Sequence, residues 1–176
     1  QRKPFSIITA SRLASEKHID WLVRAVVRAK GEIPELSFDI YGKGGEEGKI
    51  RSLIDDLAAS EYIKLKGHAD LAEVYKNYEI YLSASTSEGF GLTLMEAIGS
   101  GLTIIGFDVP YGNQTFVVEG KNGYLIPNSV DQVVDRIADA FSEKIVKVYR
   151  NHELESMRQA SYARAEDFLT IRVEEA

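Results

Sequence analysis

Glu88 and Glu96 bracket the segment Glu88-Gly89-Phe90-Gly91-Leu92-Thr93-Leu94-Met95-Glu96, with seven residues between them. The first follows an apolar run, Ile80 to Ser83. The second falls inside a helix that the pattern predicts over Leu92 to Gly99. Gly89 and Gly91 leave backbone N–H groups uncovered at that helix start, which makes an anion site. A carboxylate is out of place beside phosphate, but it suits hydroxyls, such as the diols of a nucleotide sugar. The plainer alternative is a first-turn carboxylate favoured by the helix dipole, plus one solvated glutamate. Two glycines at a helix start weigh against it, because they are costly without a purpose.

Three further loops carry polar groups. Arg12 and Lys17 lie five positions apart after the apolar run Phe5 to Ala10. An arginine fork and a lysine point charge at a strand end suit a diphosphate, or are two solvated surface cations. Tyr41-Gly42-Lys43-Gly44-Gly45 follows a second apolar run. Its glycines allow close backbone approach to a ligand, or a plain turn. A dinucleotide fingerprint needs glycine where Glu47 stands, and a Walker loop needs Ser or Thr where Ile50 stands, so both fail. His68 follows a third run and contacts a nucleobase or caps the turn. The histidines, His18, His68 and His152, show no metal-ligand spacing.

These loops must be held by alternating strands and helices. Strands are expected at Phe5 to Ala10, Leu36 to Tyr41, Tyr62 to Lys66, Ile80 to Ser83, Leu102 to Phe107 and Asn122 to Ile126. Helical spacing runs through Ile19, Leu22, Val23 and Val26, then through Ile50, Leu53, Ile54 and Leu57. Asp70 with Glu73, and Ser129 with Gln132, read as capping boxes. A helical turn is expected around Gln114 to Glu119, and a polar helical tail from about 142 to about Leu169. The alternation implies an α/β fold: a Rossmann-like, doubly wound parallel sheet of about six strands. Such sheets bind ligands beyond the carboxyl ends of their strands, where all four loops fall.

The bulk composition is permissive. The 176 residues, 44% hydrophobic, suit one ordinary domain with a real core. A formal charge of −6 argues against nucleic acid as a partner. The absence of cysteine excludes disulfides and thiolate metal sites, and it suits a cytoplasmic protein, with a peripheral seat at the membrane compatible. No apolar stretch is long enough to span a bilayer.

In their order, these loops resemble the C-terminal, donor-binding domain of retaining glycosyltransferases with the two-Rossmann GT-B fold, the large family four. The likeness covers roughly Ile7 to Pro127. It rests on Glu88 to Ala97 followed by Gly99 and Gly101, on Ser11-Arg12-Leu13 with Glu16-Lys17, on Tyr41 to Gly44, and on Asn122-Gly123-Tyr124-Leu125-Ile126. Asp108 to Phe116 and Lys121 to Tyr124 look most like the branch that initiates O-GlcNAc glycosylation of serine-rich adhesins.

The resemblance implies a UDP-sugar donor, UDP-GlcNAc by preference, a protein Ser/Thr acceptor and no metal or other cofactor. Arg12 and Lys17 would hold the diphosphate and stabilise the leaving group. Glu88 would contact the donor sugar and Glu96 the ribose. Backbone amides of Phe90, Gly91 and Leu92 would face sugar and phosphate, helped by Gly89 and Thr93. Gly42 and His68 would frame the nucleoside. Arg12, Lys17 and Glu88 are the expected catalytic set. The resemblance also implies an acceptor-binding N-terminal-type domain outside this chain, and a partner subunit. His18 stands where many relatives have glycine. Wall-teichoic-acid or polysaccharide transfer, an epimerase half and a non-catalytic partner of the same fold are the alternatives.

Overall fold

The computed structural model describes residues 2–86, 92–108, 113–127 and 133–175. Six parallel strands form one sheet: β1 (Ser6–Ala10), β2 (Ser37–Tyr41), β3 (Ile63–Gly67), β4 (Ile80–Ser83), β5 (Thr103–Phe107) and β6 (Gly123–Ile126). Their order is β3-β2-β1-β4-β5-β6, so the chain reverses direction across the sheet between β1 and β4. That reversal is the topological switch point, where the crevices of doubly wound sheets open.

Helices cover both faces: α1 (Ile19–Lys30), α2 (Glu47–Asp56), α3 (Leu71–Val74), α4 (Leu92–Gly99), α5 (Asn113–Phe116), α6 (Val134–Arg150) and α7 (Leu154–Glu175). Alternation along each strand sorts side chains into two cores. Ile7, Phe38, Ile40, Ile80, Leu82 and Ile105 pack with Trp21, Leu22 and Val26 of α1 and Ile137 and Phe141 of α6. Ile8, Ala10, Tyr41, Tyr81 and Ile104 pack on the other face, with Leu94, Ala97 and Ile98 of α4. Strands buried on both faces read as the continuous apolar runs seen in the sequence.

The six expected strands are present, with edges moved by a residue or two, whereas the turn expected around Gln114 to Glu119 is the short α5, ending at Phe116, and α6 opens at Val134. Phe5 falls outside β1 because its backbone turns left-handed, φ 58°. The Asp70–Glu73 capping box does not form. Neither side chain caps the helix, and Glu73 pairs instead with Lys76 at 2.9 Å. α3 accordingly lasts four residues and tightens into a 3-10 turn, Tyr75–Asn77. Residues 129 and 132 lie outside the described residues. Position 142 lies inside α6, which runs unbroken with Ser142 buried. The polar α7 crosses the α4 face, where Ser161 Oγ donates to the Leu102 carbonyl at 2.6 Å. Among the described residues, no helix is long and apolar enough to cross a membrane.

Candidate functional site

A cavity of about 330 Å³ opens at the carboxyl ends of β1, β2 and β3. Its walls come from the four regions that the sequence singled out. Ala10, Ser11 and Arg12 supply the end of β1, Gly42 and Lys43 the end of β2, and Gly67 and His68 the end of β3, while Thr93 of α4 faces them. Arg12, Gly42, His68 and Thr93 are therefore brought together as expected.

Backbone hydrogen bonds hold these loops as one layer. Leu13 N donates to the Lys43 carbonyl at 2.9 Å, Glu46 N to the Leu13 carbonyl at 2.8 Å, and Gly42 N to the Gly67 carbonyl at 2.8 Å. The layer accounts for two glycines. Gly42 has φ +130°, and a Cβ there would collide with the Ser11 carbonyl oxygen. A Cβ on Gly44 would collide with the Leu13 backbone. These glycines serve the close packing of loop on loop, whereas Gly45 faces open space.

Arg12 is largely exposed, its side chain 77% accessible, and pairs loosely with Glu16 at 3.3 Å. Lys17 does not line the cavity. It ends the 3-10 turn Ser15–Lys17, and its Nζ reaches Ser85 Oγ, beyond β4, at 3.5 Å. Arg12 thus stands in the cavity wall, and Lys17 outside it, on the β4 side. Glu96 is exposed on α4 and lies outside the cavity wall. Glu88, Gly89, Phe90 and Gly91 lie outside the described residues, as does the side chain of Leu92. Among the described residues, no group of three His, Asp or Glu side chains is placed to hold a metal ion.

Beneath the cavity lies a layer of tyrosines. Tyr81 Oη donates to the Ala10 carbonyl at 2.9 Å, and its burial pushes the phenol up to about 12. Tyr75 meets the Tyr81 ring edge-on, with centroids 5.8 Å apart. Tyr78 Oη donates to Asp39 Oδ2 at 2.5 Å and meets Tyr41 Oη at 3.0 Å. Burial, with Asp39 next, drives the Tyr78 phenol upward, so its hydroxyl stays a neutral donor. Leu71 lines the wall without having stood out in the sequence, and Tyr41 stood out there only as the residue that opens its glycine loop. The glycine at position 42 was the available signal for Tyr41.

A six-stranded parallel sheet of order 3-2-1-4-5-6, with a cavity over the ends of its first three strands, defines a doubly wound, Rossmann-like α/β domain. The sequence profile of the glycosyl transferases group 1 matches residues 1–164, and the chain belongs to that family. Its fold is one half of GT-B.

The chain is 63% identical, over 172 residues, to the GtfA subunit of the UDP-N-acetylglucosamine–peptide N-acetylglucosaminyltransferase of Streptococcus pneumoniae; this covers 98% of the chain and 34% of the relative. It superimposes on the crystal structure of the pneumococcal O-GlcNAc transferase GtfA in complex with UDP and GlcNAc with a TM-score of 0.95, at 63% identity, over 99% of the chain and 34% of that structure. A crystal structure of a GtfA/B complex matches with a TM-score of 0.93, at 61% identity, over 99% of the chain and 35% of that structure. The chain thus spans about a third of the length of these relatives.

Proposed function

We propose that this chain holds the UDP-GlcNAc donor of a retaining glycosyltransferase that modifies Ser or Thr of a protein. The cavity at the ends of β1–β3, with Arg12 at its lip, carries the reading. Its support is a 63% identical relative whose structure was solved with UDP and GlcNAc.

In this reading the nucleoside sits between the Gly42 and Gly67–His68 turns, over Leu71. The diphosphate leaves the cavity past Arg12 toward Lys17. Both cations then offset the charge that grows on the departing UDP, which is the largest contribution fixed charges can make to such a reaction. Glu96 takes the ribose hydroxyls and Glu88 those of the sugar, with Gly89, Phe90, Gly91, Leu92 and Thr93 between them. Two cations do the work that a metal does elsewhere, so the reading requires none. Retention proceeds on the front face of the sugar, without a protein nucleophile. The acceptor site belongs to a second, N-terminal-type domain, and the existence of a GtfA/B complex supports a partner subunit. The setting is the cytoplasm, peripheral to the membrane.

Calorimetric titration with UDP, UDP-GlcNAc and NAD tests this. UDP and UDP-GlcNAc should bind, and both Arg12→Ala and Glu96→Ala should weaken them. Binding of NAD in preference to UDP, or no effect of either substitution, would overturn the reading.

A further inference from the structure

The carboxyl ends of β1 and β4 lie beside each other at the switch point, and among the described residues these contacts bridge them. Thr86 N donates to the Glu16 carbonyl at 3.2 Å. Lys17 Nζ lies 3.5 Å from Ser85 Oγ. His18 Nε2 lies 3.4 Å from Thr86 Oγ1. His18 makes its contact from an unusual backbone. It is left-handed, φ 48° and ψ 44°, and it ends the 3-10 turn while opening α1. Glycine occupies such a position without a Cβ penalty, and histidine, like asparagine, is among the residues that tolerate it. The ring is stacked flat on Trp21, with centroids 3.7 Å apart and planes 7° apart. Trp21 is itself locked edge-on against Phe107 of β5. The imidazole is therefore a rigid peg, fixed by the core on one side and set against Thr86 on the other.

We propose that His18 is a positioning residue for the diphosphate, fixing the Ser15–Lys17 turn against Ser85 and Thr86 so that the Lys17 ammonium is presented beside the switch point. This rests on the donor reading above. His18 touches neither nucleoside nor cavity, since it is not part of the wall. Its loss should therefore be felt by the phosphates alone. A flexible lysine gains little from a charged partner unless its backbone is held, because ordering the side chain consumes the gain.

The test compares UDP with uridine by calorimetry on the full chain, for the parent, His18→Gly, His18→Asn and Thr86→Val. Glycine fits the backbone but removes the peg. Asparagine fits the backbone and keeps a polar group near Thr86. Thr86→Val removes the contact from the other side and leaves the turn untouched. UDP should bind about tenfold more weakly to His18→Gly and Thr86→Val, a loss typical of one charge-assisted hydrogen bond. Uridine should be unaffected, and His18→Asn, which keeps a polar group near Thr86 but not the stacked ring, should recover only part of the loss. Equal losses for UDP and uridine, or no loss in either variant, would overturn the proposal. A parent that binds neither ligand would sink the donor reading itself, and this inference with it.

Discussion

The α-carbon of Gly42 packs directly against the carbonyl oxygen of Ser11, so the ends of β1 and β2 touch at the cavity wall with no room for a side chain. Both φ and space forbid a substitution there. Gly42→Ala should destabilise the chain by about 2 kcal/mol or more, through a strained backbone and a displaced Arg12 loop. Gly45→Ala, the residue directly after Gly44, should be near neutral, because a Cβ there meets nothing. Urea unfolding of both variants checks this, and equal midpoints would show that the layer tolerates separation.

Arg12 separates binding from stability. Its ion pair with Glu16 is exposed, and exposed pairs contribute about 0–1 kcal/mol. Arg12→Ala should shift unfolding by no more than about 0.5 kcal/mol. The same substitution should weaken UDP about tenfold or more, because the planar fork is lost from the cavity lip. Arg12→Lys should recover charge but not the fork, and so only part of the affinity. A large stability loss with unchanged affinity would make Arg12 a scaffold residue.

The sequence made the strand–helix rhythm legible because parallel strands covered on both faces are written as unbroken apolar runs. Ile80 to Ser83 and Leu92 to Gly99 match the observed bounds. Polar loops at strand ends made Arg12, Gly42 and His68 legible at one end of the sheet, and the family resemblance added Thr93. What stayed hidden is tertiary. Asp70 and Glu73 have capping-box spacing, yet Lys76 offers Glu73 a full charge one turn on, and the box is lost. Lys17 reads as Arg12's companion, but the 3-10 turn carries it to the β4 side. Gly42 and Gly44 read as a ligand turn or a plain one, and their close neighbour is a second loop of the same chain.

His18 makes stability depend on pH in a defined direction. Burial lowers its pKa from the ordinary 6.5, against the opposing pull of Asp20 and then Glu16. The unfolded chain therefore takes up the proton more readily than the folded one. Stability contributed by the neutral ring is complete above about pH 6.5 and is lost as pH falls from there through the lower folded value. His18→Asn should flatten this part of the acid decline. Urea unfolding of parent and variant at intervals between about pH 7 and pH 5 reads the difference in slope. Identical slopes would mean that the ring titrates alike folded and unfolded.

Tyr75 and Tyr81 touch ring to ring, and removing each hydroxyl should act with opposite sign. Tyr75 Oη is buried and makes no well-directed hydrogen bond among the described residues, with the Tyr81 hydroxyl as a poorly placed polar neighbour. Its desolvation is compensated only in part, so Tyr75→Phe should be neutral or stabilise by up to about 1 kcal/mol. Tyr81 Oη donates to the Ala10 carbonyl, which closes the end of β1 at the cavity wall. Tyr81→Phe strips that buried acceptor of its donor and should cost about 1–3 kcal/mol. It should also loosen the Ala10–Arg12 segment, so UDP affinity falls with it, whereas Tyr75→Phe should leave UDP binding intact. Thermal unfolding and UDP titration of the two variants side by side decide the matter. Two losses of equal size would mean that the Tyr75 hydroxyl has a partner after all, and that the layer beneath the cavity is held from both rings.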